Sequence, residues 1–284
     1  MEKNTRIKSA EETLEILNQG YYIIHGNKID ISTNVQRSID QSKLWRPHDF
    51  DAIAGEVENT LAEVKYSTEI EVSHCTVLEA TQFWSEKYER VGCLNFASAK
   101  NPGGGFLNGA QAQEESLARA SGLYPTLVKN NEMYTYNKNQ HTYLYADYMI
   151  YSPEVVFIKN DQDGLLTQPY TTAVLTSPAV NVGAIKTNKP AEMDLVEQTM
   201  QTRIEKLLSL FVYYQREHII LGAWGCGVFK NDAAQVAKWF YEALGKHGKF
   251  ARAFKTIVFA IHDRSKEGNI LHAFQQQFSS YEKI

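Results

Sequence analysis

From about residue 70 onward, apolar runs of strand length alternate with longer stretches of helical character, and this alternation constrains the fold most strongly. Val91-Gly92-Cys93-Leu94-Asn95-Phe96 is a mostly apolar run of the length expected for a buried strand. Residues 69–73, 148–158, 173–176, 218–221 and 256–261 are further strand candidates. Helices are expected over residues 76–88, 111–119, 194–214, 233–244 and 268–278. A chain that alternates in this way builds an α/β sandwich. The polar, tyrosine-containing segment 130–141 reads as a surface loop, and neither an internal repeat nor a low-complexity tract interrupts the pattern.

The first 70 residues differ. Ser9 followed by Glu12 reads as a capping box, with Leu14 and Leu17 then on one helical face. Residues 21–31 read as a hairpin turning at Gly26-Asn27, and a polar helical segment follows up to the Trp45-Arg46-Pro47 break. The 284 residues are therefore divided into a small N-terminal accessory lobe, residues 1–68, and an α/β domain, residues 69–284.

Composition narrows the function. Apolar residues make up 43% and charged residues 22%, the mixture of a globular protein with a core. A formal net charge of -4 argues against general nucleic-acid binding, which needs a basic face. A phosphate-bearing ligand is still allowed, because backbone N–H groups bind phosphate without a surplus of basic residues. No stretch approaches the ~18 apolar residues of a membrane span. The polar N-terminus lacks the apolar run of a secretory signal. Cys75, Cys93 and Cys226 fit neither a disulfide framework nor a metal site, so reduced thiols, a cytoplasmic location, no metal and no cofactor are expected. The chain is expected to act as a monomer.

Two glycine-rich segments follow strand candidates: Asn95 through Gly103-Gly104-Gly105, and Leu221-Gly222-Ala223-Trp224-Gly225-Cys226-Gly227-Val228-Phe229. Glycines there let the backbone approach a ligand closely, at the strand ends where α/β sheets bind ligands. Either run alone equally fits a tight turn; neither has the spacing of a P-loop or a dinucleotide fold. Gln113-Glu114-Glu115 follows the first run among small neighbours. Adjacent carboxylates on a helix are usually a solvated pair. They point about 100° apart, so near a substrate one would aim at a bond while the other held hydroxyls. Cys226 has no evident basic partner and reads as a small loop residue rather than a nucleophile. His262-Asp263-Arg264 reads as a strand-end cap, with cleft lining as the alternative.

Pro102-Gly103-Gly104-Gly105, a short spacer and Gln113-Glu114-Glu115 resemble the signature of microbial-type poly(ADP-ribose) glycohydrolases, a branch of the macrodomain superfamily. The resemblance continues through Ser121-Gly122-Leu123-Tyr124-Pro125, Tyr151-Ser152-Pro153-Glu154, Ser177-Pro178-Ala179-Val180-Asn181 and the Gly222 to Phe229 loop, and takes in the N-terminal lobe. It implies a three-layer α/β/α macrodomain holding ADP-ribose in a cleft. By that likeness Glu115 is the catalytic acid, Glu114 positions ribose hydroxyls, and Gln113 fixes the segment. Gly103, Gly104 and Gly105 would shape the loop against the ribose. Gly225, Cys226, Gly227 and Val228 would cradle the diphosphate, with Phe229 on the adjoining sugar. Asn95 stands where macrodomains place a ribose-contacting amide; Ser98 departs from the asparagine many of them carry.

The implied reaction is hydrolysis of ribose–ribose O-glycosidic bonds in an ADP-ribose polymer. Its oxocarbenium-like transition state needs a proton on the leaving oxygen, which a carboxyl of raised pKa supplies. The alternatives are a hydrolase acting on a single ADP-ribose attached to protein or nucleic acid, and a module that binds ADP-ribose without cutting.

Overall fold

The computed structural model describes residues 1–279. The chain opens with α1 (Lys3–Gln19), β1 (Tyr21–Ile24), β2 (Asn27–Asp30), α2 (Ser32–Gln41), β3 (Lys43–Trp45) and α3 (Asp49–Glu63). It continues through β4 (Glu69–Ser73), α4 (Val77–Ser85), β5 (Val91–Phe96), a 3₁₀ turn (Phe106–Asn108), α5 (Gln113–Ala120), α6 (Leu123–Lys129) and α7 (Glu132–Asn139). Then come β6 (Met149–Lys159), β7 (Leu165–Ser177), α8 (Val182–Asn188), a second 3₁₀ stretch (Pro190–Leu195) and α9 (Val196–Tyr213). The last elements are β8 (His218–Leu221), α10 (Ala233–Leu244), β9 (Thr256–Ala260) and α11 (Asn269–Phe278).

β1 and β2 form a separate hairpin, and the other seven strands among the described residues form one sheet in the order β3-β6-β7-β5-β8-β9-β4. From β7 to β4 all neighbours run parallel, whereas β6 is antiparallel to both β7 and β3. Strand periodicity sorts the core into two layers. Ile219 and Leu221 of β8 and Ile257 and Phe259 of β9 join the helices α3, α9, α10 and α11 on one face. Ile220, Val258 and Ala260, one residue out of phase, join α4, α5, α6 and α7 on the other. The result is the expected three-layer α/β/α arrangement. Because both faces are covered, the inner strands read as unbroken apolar runs rather than alternating ones.

Several sequence expectations change. Ser9 is not a helix cap: α1 begins six residues earlier, and Ser9 lies buried inside it, where its Oγ accepts from Lys159 Nζ at 2.8 Å. A buried polar partner, not helix initiation, accounts for the serine. Segment 130–141 is largely the helix α7 and not a surface loop, because Met133 and Tyr134 are fully buried and make it one wall of the core. The N-terminal segment also contributes β3 as an edge strand of the main sheet, and α3 packs in the same core layer as α9. No helix among the described residues is long and apolar enough to cross a membrane.

Candidate active site

The sheet's parallel half ends at a cleft of ≈ 870 Å³, within the range of small-molecule sites. It opens at the carboxyl ends of β5, β8 and β9, where successive strands hand over to loops and helices.

The N-terminus of α5 is tied into β5 by side chains rather than by a cap. The Gln113 amide mimics a strand residue: its Oε1 accepts from Phe96 N–H at 2.8 Å and its Nε2 donates to Leu94 O at 2.8 Å. This pins the first turn of α5 against the strand end and fixes where the next two carboxylates point. Glu114 turns inward and is 3% exposed. One oxygen accepts from the Ser98 amide at 2.6 Å, the other from Asn95 Nδ2 at 3.3 Å. Asn95 also donates to Thr176 Oγ1 at 3.2 Å, and its buried Oδ1 has no hydrogen-bond partner among the described residues. Burial pushes the Glu114 carboxyl up to about 8, against the opposing hydrogen bonds of Ser98 and Asn95 and with the support of the Glu115 charge.

Glu115 turns the other way, half-buried in the cleft wall. Its Oε1 accepts from Gly105 N–H at 3.0 Å; among the described residues Oε2 has no hydrogen bond. Gly104 takes a left-handed φ of 60°, and a Cβ there would overlap Glu115 Oε1. The glycine is required twice over, by backbone and by contact. Gly103, also left-handed, packs on the Phe106 ring behind the loop and does not line the cleft.

The second loop faces the first. Gly225, with φ 77°, is wedged so that a Cβ would stand 2.6 Å from Ala179 Cβ and from Asn231 Nδ2. Asn231 in turn donates to Val180 O at 2.7 Å and Gly225 O at 3.1 Å, holding the loop shut. The Gly227 and Val228 amides make no hydrogen bond among the described residues, and both residues are exposed at the cleft rim. Phe229 is half-buried beside Tyr145, ring centroids 6.0 Å apart. The Cys226 side chain is buried and burial pushes its thiol up to about 12, which keeps it protonated and speaks against a nucleophile.

The structure thus brings Gly104, Gly105, Gln113, Glu114, Glu115, Gly225, Cys226, Gly227, Val228 and Phe229 to one cleft, with Asn95 beneath Glu114. His262 and Arg264 also line it. Asp263 between them caps a helix rather than the strand end: its carboxylate accepts from Ile270 N–H at 2.7 Å and Leu271 N–H at 3.1 Å at the start of α11. Sequence reasoning missed the Ser98 amide, Thr176, Asn231 and the lining residues Arg6, Thr76 and Arg119. The backbone donor of Ser98 carries no side-chain signal; Arg6, Thr76 and Thr176 lie far along the chain from the motifs they support, and Asn231 and Arg119, though close to theirs, take their roles only from the fold.

Comparison with known proteins gives a concordant picture. No curated protein sequence matches the chain. Residues 10–160 match the family model described as microbial-type PARG, catalytic domain. Among solved structures, the poly(ADP-ribose) glycohydrolase (PARG) of Thermomonospora curvata is 38% identical with a TM-score of 0.88, covering 97% of this chain and 100% of that one. The same enzyme bound to the inhibitor ADP-HPD aligns with a TM-score of 0.87. The PARG of Deinococcus radiodurans in complex with ADP-ribose is 37% identical with a TM-score of 0.80, covering 87% of this chain and 97% of that one. The arrangement of Gln113, Glu114 and Glu115 across from the glycine loops is therefore found in a chain that belongs to the family of microbial-type poly(ADP-ribose) glycohydrolases.

Proposed function

We propose that the chain hydrolyses ribose–ribose O-glycosidic bonds of poly(ADP-ribose) and releases ADP-ribose, with Glu115 as the general acid. The observation that carries this reading is the split of two adjacent carboxylates: Glu114 is buried and gripped on both oxygens, while Glu115 is held on one and leaves Oε2 free in the cleft. A carboxyl with one anchored and one free oxygen can hand a proton to a leaving oxygen and then take one from the attacking water. Glu114 is the hydroxyl holder, since a buried, ligand-facing carboxyl orients a ribose without competing for the proton transfer. Gln113 fixes both, and Asn95, buried beneath Glu114, serves the ribose through the carboxyl it holds rather than by direct contact. Gly104 and Gly105 shape the wall against that ribose, with Gly103 behind them against Phe106. The free amides of Gly227 and Val228, on a loop with Gly225 and Cys226, are placed for a diphosphate, with Phe229 against the sugar beside it. Binding the diphosphate away from the reacting bond supplies energy that holds the bond against the acid.

Residues 1–68 act on this reading as an accessory segment to a catalytic domain of residues 69–284, with Met1 and Arg6 of the segment reaching the cleft. The cysteines are all free, which suits a reducing cytoplasm. The protein works as a monomer, without cofactor, on polymer or ADP-ribosylated protein.

The test is Glu115→Gln, which keeps shape but removes the titratable acid. ADP-ribose release from labelled polymer should fall by about 10³-fold or more, with ADP-ribose affinity within about twofold of the parent. Retained turnover overturns the assignment. Release from mono-modified protein alone, with polymer left intact by the parent chain, overturns the substrate.

A further inference from the structure

We infer that Arg6 and Arg119 are positioning residues for Glu115, acting through the backbone of Gly109, Ala110 and Gly105; the inference rests on Glu115 as the acid. Arg119 lies four residues after Glu115 on α5 and is 3% exposed, yet it has no ion-pair partner within salt-bridge distance among the described residues. Its Nη1 donates to Ala110 O at 3.0 Å and its Nη2 to Gln111 Oε1 at 2.5 Å, while Nε is buried with no hydrogen-bond partner among the described residues. An unpaired buried guanidinium is costly, and an apolar side chain of similar length would fill the same space without that cost. What the charge secures is the segment between the 3₁₀ turn and α5.

Arg6 grips the same segment from α1, its Nε donating to Gly109 O at 2.7 Å. The two arginines thus hold consecutive carbonyls. From there a short chain of bonds reaches the acid. Ala110 N–H donates to Gly105 O at 3.1 Å, and Gly105 N–H donates to Glu115 Oε1 at 3.0 Å. The packing is tight along this path: a Cβ on Gly105 would stand 2.9 Å from Ala110 Cβ, and one on Gly109 2.7 Å from Lys3 O of α1. A shift of residues 109–110 therefore moves the Gly105 peptide and the carboxyl it holds.

Arg6 can be removed without undocking α1. Thr13 Oγ1 donates to Arg119 O at 2.5 Å, and Lys159 Nζ donates to Ser9 O at 2.9 Å and pairs with Glu12 at 2.7 Å. The experiment uses the full chain and measures kcat and KM for ADP-ribose release from polymer, ADP-ribose affinity and Tm. Arg119→Gln should lower kcat by about a hundredfold and Arg6→Met by about tenfold, each with KM and ADP-ribose affinity within about twofold. Arg119→Lys, which keeps a donor for Ala110 O, should recover part of the loss. Unchanged kcat in Arg6→Met overturns the proposal, including where Arg119→Gln fails to fold. A loss carried by KM overturns it in favour of substrate contact. Glu115→Gln in parallel separates the layers: turnover there sinks the acid itself, whereas a dead Glu115→Gln beside unaffected arginine variants sinks only the positioning.

Discussion

Glu114 and Glu115 are neighbours in sequence, and one step of helix gives them opposite surroundings. Two predictions follow from that step. A Cβ on Gly104 overlaps Glu115 Oε1 and sits on a left-handed backbone. Gly104→Ala should therefore cost about 1 kcal/mol of stability from the backbone alone. It should also lower turnover by about a hundredfold by displacing the carboxyl; thermal unfolding and kcat check the two effects separately. Glu114 has its carboxyl raised from 4.5 to about 8 by burial. The folded state then holds a proton that the unfolded state releases, so its stability is complete below about pH 4.5 and falls as pH rises towards 8. Glu114→Gln stays neutral, and its Tm should gain on the parent's between pH 5 and pH 9, equivalent to a few kcal/mol. Parallel Tm curves would refute the burial account. The two carboxylates, the glycine triplet and Gln113 were legible in sequence because they form one compact motif. The Ser98 amide was not, since any residue supplies that N–H. Arg119 was invisible for another reason: an arginine late in a helix looks solvated until the fold buries it.

At the level of elements, β5, β6, β8 and β9 and the long amphipathic helices α9 and α10 were readable to within a few residues, because their apolar patterns are complete in themselves; β7 was legible only over 173–176, since its first half, from Leu165, is mostly exposed or half-buried. α7 was not, since its polar residues outnumber the Met133 and Tyr134 that bury it, and burial there is decided by the neighbouring β6 and α6. Nor was β3, three residues long, whose place is set by pairing with β6 and by the burial of Trp45, neither of which a three-residue pattern shows. Caps behaved similarly: Ser9 with Glu12 has the capping-box spacing but lies mid-helix, whereas Thr76 with Glu79 forms a complete box. Asp263 is the cap with the largest consequence. Although burial alone would raise its carboxyl, hydrogen bonds from Ser265, Leu271 and Ile270 outweigh it and hold it at about 2. Asp263→Ala should destabilise the fold by about 1–2 kcal/mol at neutral pH. Because the folded value is depressed, this contribution is present above about pH 4 and is lost as pH falls towards 2. The Tm difference between parent and variant should therefore shrink on acidification, and a difference that persists at pH 2 would count against the cap.

For the whole molecule, the accessory segment bears on both the cleft and the core. Its first helix reaches the site, and its last elements are built into the core: β3 closes one edge of the main sheet, and Trp45, 1% exposed, packs against Phe50, Tyr213 and Tyr214. Phe50, Ile53 and Val57 of α3 are buried in the same layer as α9. Each of these side chains contributes about 1.5–3 kcal/mol by burial, a sum comparable to the net stability of an ordinary domain. A chain begun at residue 69 would expose the facing surfaces of α9 and β6 and lose that contribution at once. It should therefore fail to unfold cooperatively and should bind dyes specific for exposed apolar surface. Adding residues 1–68 as a separate peptide should restore ADP-ribose binding only if the peptide rebuilds β3 on β6. A truncated chain with parent-like Tm and turnover would show instead that residues 69–284 form a self-sufficient unit, and that neither the edge strand nor α1 is needed to hold Glu115 in place.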